Sequence, residues 1–303
     1  MSSSTSSSSC SPSLTVVIGS VAPPGRLCSC LEALEAQLDD GVEVRVHESS
    51  ETPREIRQRF PWASYTTSPG NLVPHHWRDG IDAARGEIVA LTIAQMIPAP
   101  NWIAEIRRRL GDGDVVGGAI DPAPGIGLVD WGEYFCRYAR DMQPFRERET
   151  PDLASDNAAY RRSRLDAVSD AYRNGFWEQE VNRLLAAGGT PLRQTPELVV
   201  LLGRSAGFMA FAVQRWQHGQ EYGRRRGGGF SAARAALGVV ATPVVPLLMT
   251  WRVVRLVIGK RKHRARLVAA LPLLLTFDAV WAAGEAGGYL HTLRRNRKRE
   301  TRT

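Results

Sequence analysis

The sequence predicts an α/β fold, a mostly parallel sheet flanked by helices, followed by an apolar and basic carboxyl-terminal element. Two observations carry this. Short apolar runs that end in glycine, serine or glutamate alternate with stretches whose apolar residues recur every three or four positions, the signatures of strand and helix. The last third then changes character, with leucine- and valine-rich runs separated by arginine and lysine clusters.

The elements follow in order. Residues 14–18 form an apolar run closed by Gly19 and Ser20, a buried first strand. After a Pro-Pro-Gly break, Leu27, Leu31, Leu34 and Leu38 recur at helical spacing. Val42, Val44 and Val46 then alternate with polar residues, a half-buried strand ending at Glu48-Ser49-Ser50. Residues 74–85 read as helix, 87–93 as strand, 102–110 as helix and 114–120 as strand. Such alternation predicts a mostly parallel sheet with helices on both faces. Ligands in these folds bind outside the carboxyl ends of the strands, which are here Gly19-Ser20, Glu48-Ser49-Ser50 and Ile93-Ala94-Gln95. Further on, 129–140, 163–168 and 176–187 are helical, 198–202 is a last short strand, and the helix 208–224 runs into Gly227-Gly228-Gly229, a hinge.

Composition narrows the function classes. A chain of 303 residues accommodates one α/β domain of roughly 200 to 230 residues plus an appendage. Cys10, Cys28, Cys30 and Cys136 are too few and too scattered for a disulfide framework, and Cys28-x-Cys30 lacks the second pair of a zinc site. They read as reduced thiols. The net charge of +8 comes largely from the last third. Its basic clusters alternate with leucine-rich runs instead of stacking aromatics, which disfavours a nucleic-acid partner. Residues 1–13, rich in serine, form an expected disordered tail without the features of a signal peptide. The expected domains are therefore 1–13, 14–226 and 227–303.

The carboxyl-terminal element points to a membrane. The uncharged run 235–251 falls short of the ~20 residues that cross a ~30 Å hydrocarbon core. A second run, 267–277, is shorter and is followed by Asp278 and Glu285. If both crossed, the cluster 260–266 would lie opposite the other basic clusters, against the positive-inside tendency. The expectation is a membrane-associated helical hairpin, bent at Pro243, Pro246 and Pro272, on the cytoplasmic face of the membrane with its basic residues at anionic headgroups. Two short spans and a soluble helical subdomain are the alternatives.

Residues 84–102, ARGEIVALTIAQMIPAPNW, carry a resemblance. They resemble family 2 glycosyltransferases of the GT-A fold, in which an Ala-Arg-Gly-Glu lead, an apolar strand, an Asp-x-Asp motif and a Pro-x-Pro-x-Trp element follow in this order. The Asp-x-Asp slot here reads Ile93-Ala94-Gln95. The resemblance implies a nucleotide-sugar donor, and a divalent metal acting as Lewis acid on the leaving diphosphate. Mg²⁺ and Mn²⁺ take oxygen ligands, mostly carboxylates. Ile93 and Ala94 cannot ligate and Gln95 offers one neutral carbonyl, so dependence on Mg or Mn is expected to be weak or nil.

Other segments extend the resemblance. Gly19, Ser20, Glu48, Ser50, Arg78 and Asp79 are the expected nucleotide-binding residues, Glu48 standing where the family places an acidic residue that reads base and ribose. An ordinary solvated loop glutamate is the alternative for Glu48. Arg78-Asp79-Gly80-Ile81 resembles the family's base-pocket helix, with Trp77 in place of a small residue and His75-His76 as surface or pocket-rim residues. Residues 155–162, SDNAAYRR, resemble the segment bordering donor sugar and acceptor, and equally a helix start capped by Ser155 or Asp156. Thr92, Gln95, Asp156, Asn157, Arg215 and His218 are the expected donor and acceptor pocket, Arg215 or His218 supplying charge to the diphosphate in place of a metal. Glu178 is the expected catalytic base and Glu180 its alternate, at a helix amino terminus beside the desolvating Trp177. First-turn glutamates that only stabilise the helix are the bland alternative.

The function implied is a membrane-associated glycosyltransferase in cell-envelope polysaccharide or glycolipid synthesis, with a lipid-linked or membrane-proximal acceptor. A degenerate, non-catalytic homologue that binds a nucleotide sugar or a partner protein is the rival.

Overall fold

The computed structural model describes residues 12–21, 23, 25–111, 113–204 and 207–300, the side chains of 294–300 excepted. The serine-rich segment 1–11, including Cys10, lies outside the described residues. The elements are β1 (Leu14–Ser20), α1 (Gly25–Glu35), β2 (Val42–Glu48), α2 (Arg54–Arg59), β3 (Ala63–Thr67), α3 (Val73–Ala83), β4 (Ile88–Ile93), β5 (Met96–Pro98), α4 (Trp102–Gly111), β6 (Val115–Pro122), α5 (Leu128–Tyr138), β7 (Arg148–Glu149), β8 (Ala158–Arg161), α6 (Arg162–Asp166), α7 (Ser169–Tyr172), α8 (Glu178–Ala187), β9 (Leu192–Leu202), α9 (Phe208–Gly227), α10 (Ala232–Val240), α11 (Val245–Lys260) and α12 (Arg264–Glu300). Two compact units form. One holds the described residues up to Asp121 together with Pro144–Leu202, the other Pro122–Gln143 with the described residues from Gly203 on.

The first unit is the sheet, ordered β3-β2-β1-β4-β8-β6-β9-β5, with β7 on β9. Its first four strands are parallel as expected: β1 pairs with β2 and β4, and β2 with β3. The other half is mixed, because β8 runs antiparallel to both β4 and β6. Residues 155–162 are thus not a helix start: Ser155–Asn157 form a short 3-10 turn that feeds strand β8. Ala158, Ala159 and Tyr160 are fully buried there between two strands.

Gly86 shows why part of the Ala-Arg-Gly-Glu lead is fixed by packing. Its N–H donates to Thr15 Oγ1 at 2.9 Å, and a Cβ at Gly86 would lie 2.6 Å from the Thr15 backbone nitrogen. Thr15 in turn donates to Glu43. Burial pushes the Glu43 carboxyl up, but hydrogen bonds from Arg45, Thr15 and Arg85 outweigh it and hold its pKa at about 2.

The parallel register places Gly19 beside His47 and Ile93, and Ser20 beside Glu48. The three strand ends named from sequence therefore converge on one edge of the sheet. Helix α3 covers one face of them, and Gly80 allows the contact: a Cβ there would run into Val17 and lie 3.2 Å from His47 Cδ2.

The second unit is helical. It contains α5 and α9 to α12, so residues 122–143 and 203–226 join the carboxyl-terminal helices, whereas the sequence reading put them with the sheet. The boundary expected at 226/227 falls at the last turn of α9. The reason is packing: Cβ atoms at Gly219 or Gly223 of α9 would run into the backbone of Trp281 and Glu285, and at Gly284 or Gly288 of α12 into that of Trp216 and Gln220. Glycines at every fourth position let the two helices touch backbone to backbone.

The second apolar run also extends further than expected. Helix α12 continues through Asp278 and Glu285, with Pro272 inside it. Asp278 accepts from Thr250 Oγ1 at 3.0 Å and pairs with Arg215 at 3.3 Å. Glu285 accepts from Tyr289 Oη at 2.6 Å and faces Arg226. These carboxylates point into the unit and are satisfied there, so they do not end the helix. Pro243 lies in the break between α10 and α11, which meet at 64°. Arg261 and His263, both at φ 57°, form the turn from α11 to α12.

Candidate functional site

Glu48 stands at the end of β2, yet it is neither solvated nor open to a ligand. It is 1% exposed. Its carboxylate accepts from Thr52 N at 2.9 Å, Thr52 Oγ1, Arg57 Nη2 at 2.9 Å and Thr67 Oγ1 at 3.2 Å. Four donors from α2, β3 and the intervening loop use both oxygens, so the carboxylate folds the 49–57 loop around itself. Ser20 is buried and its carbonyl accepts from Ser49 N, whereas Ser50 is exposed.

Trp77 dominates the ends of β1 and β4. Its Nε1–H donates to Thr92 O at 2.8 Å, and its ring meets Phe176 edge-on at 6.3 Å. A Cβ at Gly19 would lie 3.1 Å from Val73 Cγ1 and 3.3 Å from Trp77 Nε1. The small residue at position 19 therefore serves the approach of α3. Thr92 is fully buried and its hydroxyl has no protein partner. Arg78 donates to Arg173 O at 3.0 Å and pairs with Asp79 at 2.6 Å, which ties α3 to the 172–177 segment.

The two histidines part company. His75 accepts the Leu72 N–H through Nδ1, capping α3, and lies edge-on to Trp177. His76, expected at the surface, is fully buried, with Nε2 at 2.8 Å from Ser49 Oγ and Nδ1 unpartnered. His47 is 3% exposed and neither ring nitrogen has a partner. Burial, then the neighbouring His47, push the His76 pKa down to about 4. Burial also lowers that of His47, Asp79 opposing and Arg45 assisting. A buried, neutral histidine pair thus lies beneath α3, invisible to a reading that treats adjacent histidines as exposed.

At the Asp-x-Asp slot, Ile93 and Ala94 are 1% exposed and Gln95 is 7%. Ile93 closes β4 and Ala94 N donates to Gly19 O. One neutral side-chain carbonyl is the slot's whole donor capacity. Among the described residues no group of three His, Cys, Asp or Glu side chains converges as a metal site would require. The side chains of the slot itself supply none of the carboxylates that a hard divalent cation takes.

The 155–162 segment and α8 do meet. Glu178 Oε2 accepts from Ser155 N at 2.8 Å, and Ser155 Oγ lies 3.0 Å from Tyr160 Oη. The expected base is thereby placed beside Asp156, itself 3% exposed. Glu180 sits in the first turn of the same helix. Asn157 has another task. It is fully buried, accepts from Trp102 Nε1 at 2.8 Å, and donates to Ala119 O at 2.9 Å and Leu198 O at 3.0 Å. All its side-chain bonds go to α4, β6 and β9, so it clamps the sheet.

Arg215 and His218 belong to the helical unit. Arg215 pairs with Asp278 and lies over the Trp281 ring, an engagement that occupies the charge expected for a diphosphate. Burial, with Arg137 and Arg215 adding to it, pushes the His218 pKa down to about 3. A shallow open groove lined by Glu149, Pro151, Ala186 and Thr190 contains none of the expected site residues.

No protein-family model matches the sequence, and no curated protein matches it. Among solved structures, the chain is similar to the mannosyltransferase PcManGT from Pyrobaculum calidifontis, in complex with GDP-Man and Mn²⁺. The TM-score is 0.50 at 17% sequence identity, over 95% of this chain and 87% of that chain. A likeness at that identity reports the path of the backbone: the chain has a glycosyltransferase fold.

Proposed function

We propose that this protein is a membrane-associated glycosyltransferase that takes a nucleotide-sugar donor and a lipid-linked or membrane-proximal acceptor, with weak or no dependence on a divalent metal. The glycosyltransferase fold carries the reading, since it brings the ends of β1, β2 and β4 to one edge as a nucleotide site requires. The similar mannosyltransferase holds GDP-Man, which favours a nucleoside-diphosphate sugar here. Glu178 is the proposed base, Glu180 its alternate, and Gln95 and Asp156 the proposed pocket. The donor-poor slot at Ile93-Ala94-Gln95 favours chemistry without Mg or Mn. A long apolar helix and an exposed apolar face in the helical unit favour association with the cytoplasmic face of a membrane.

The test is a panel of nucleotide sugars, read by thermal shift and by nucleoside-diphosphate release, with Mn²⁺ and with chelator. The expected result is a shift with one donor and release that survives the chelator. Release that needs Mn²⁺ refutes the metal independence. Absence of both shift and release refutes the transferase.

One observation favours a second reading, a binding protein without turnover. Trp77 lies over Gly19 and Thr92, where the strand ends would otherwise open. On that reading a donor gives a thermal shift without release, and Glu178→Gln leaves biological function intact.

A further inference from the structure

Six of the exposed apolar side chains of the helical unit lie on one elbow. Leu237, Val240, Val244, Leu247, Leu248 and Trp251, on α10, the break and the first half of α11, are each more than half exposed. On α11 they recur every three or four residues, so they form a single stripe. Exposed arginines bracket it, Arg234 before and Arg252 and Arg255 after. A contiguous exposed apolar patch rimmed by charge marks an interaction site.

Length decides what the elbow can do. Drawn out straight, the uncharged run 235–251 would span about 25 Å as helix, less than the ~30 Å of a hydrocarbon core. The 64° bend shortens it further. Helix α12 is long enough to cross, but α5 lines it at Gly132 and Cys136, and α9 at Gly219 and Gly223. It therefore has protein packed against Leu273 to Glu285, in a window that is 39% buried.

Resting on the membrane reading above, we infer that the α10–α11 elbow is a re-entrant wedge that enters a single leaflet of an anionic phospholipid bilayer and leaves on the same side. The tip residues Leu237 to Trp251 lie among the acyl chains. Arg234, Arg252 and Arg255 stay at the headgroups and bind lipid phosphate, the anion that guanidinium groups match best. Trp251, next to Arg252, sits at the level where amphipathic rings anchor at an interface.

The experiment is flotation of the full-length protein with vesicles of phosphatidylcholine and phosphatidylglycerol, or of phosphatidylcholine alone. The wild type is expected to float, more with the anionic lipid. Leu248→Glu and Val244→Glu, both at exposed positions and checked for an unchanged circular dichroism spectrum, are expected to lower partitioning about tenfold or more. Arg252→Ala with Arg255→Ala removes the preference for phosphatidylglycerol. Val268→Glu, 72% exposed on α12 outside the elbow, floats as the wild type does. Flotation of Leu248→Glu and Val244→Glu at the wild-type level overturns the wedge and leaves the membrane reading standing. A wild type that floats with neither vesicle removes both. A dimer in vesicle-free buffer that Leu248→Glu dissociates, with flotation unchanged, also overturns the wedge and makes the face a contact between copies.

Discussion

The buried histidine pair beneath α3 gives the sheet unit an acid sensitivity whose size follows from the structure. His76 and His47 are neutral in the fold, their pKa values lowered by burial, while in the unfolded chain each titrates near ~6.5. Below that pH the unfolded state binds more protons than the folded state, so stability is fully present above about pH 6.5 and is lost as pH falls. With a folded value of about 4, His76 alone accounts for a loss of about 2 kcal/mol between pH 7 and pH 5. The perturbation is His76→Gln, whose amide keeps a hydrogen bond to Ser49 and carries no charge. Urea unfolding followed by tryptophan fluorescence at the two pH values measures the difference. His218 contributes to the acid loss in both proteins and cancels in the comparison, whereas His47, the neighbour of His76, enters the difference through their mutual repulsion. Asp39 and Glu43, with pKa values of about 2, lose their contribution only as pH falls below the unfolded carboxylate range. The variant is expected to lose about 2 kcal/mol less than the wild type. Equal losses would show that His76 is solvated or already charged, and would refute the burial argument.

Three further outcomes test the site assignments. Asn157→Ala removes one acceptor and two donor bonds from a fully buried position and is expected to lower unfolding free energy by about 2–4 kcal/mol; a neutral effect would return Asn157 to the pocket. Arg215→Met leaves Asp278 buried without its guanidinium and should destabilise the helical unit by about 3 kcal/mol, while leaving any nucleotide-sugar thermal shift of the sheet unit in place. Gly223→Leu forces α9 away from the backbone of Glu285 and is expected to cost at least about 1–3 kcal/mol, read as a lowered melting temperature.

What the sequence disclosed depended on whether local pattern or distant contacts decided the outcome. The strands β1, β2 and β4 announce themselves because each is an apolar run with its own punctuation, and their parallel pairing follows from the intervening helices. β8 gives no such signal. Ala158-Ala159-Tyr160 is a strand because β4 and β6 need a small-sided partner between them, a fact that resides in those strands. Polar β3 pairs only along β2 and was silent for the same reason. At the site, motif order names Glu178 and Asp156 in separate segments, and the fold is what brings Glu178 onto the Ser155 N–H. The commitments of Glu48 to Arg57, of Asn157 to Trp102 and of Arg215 to Asp278 join residues 9, 55 and 63 positions apart, separations at which sequence pattern carries no pairing information. Trp77 could have been found: a bulky aromatic where the family keeps a small residue, one helical turn after Val73, the other residue against Gly19, asks what it displaces.

The charges at the strand ends bear on how a donor would be held. Glu48 is matched by Arg57, Asp79 by Arg78, and His76 stays neutral down to about pH 4. Gln95 adds a dipole and no charge. A diphosphate arriving there meets guanidinium groups already engaged with carboxylates, so on the proposed reading binding is an exchange of one anion for another. Arg57 and Arg78 are each 30% exposed, but their partners differ, Glu48 being 2% exposed and Asp79 27%. Moving Arg57 onto phosphate would still leave Glu48 Oε1 accepting from Thr52 N and Thr67 Oγ1. On that reading the affinity such an exchange yields is modest, because each new ion pair forms at the expense of an old one.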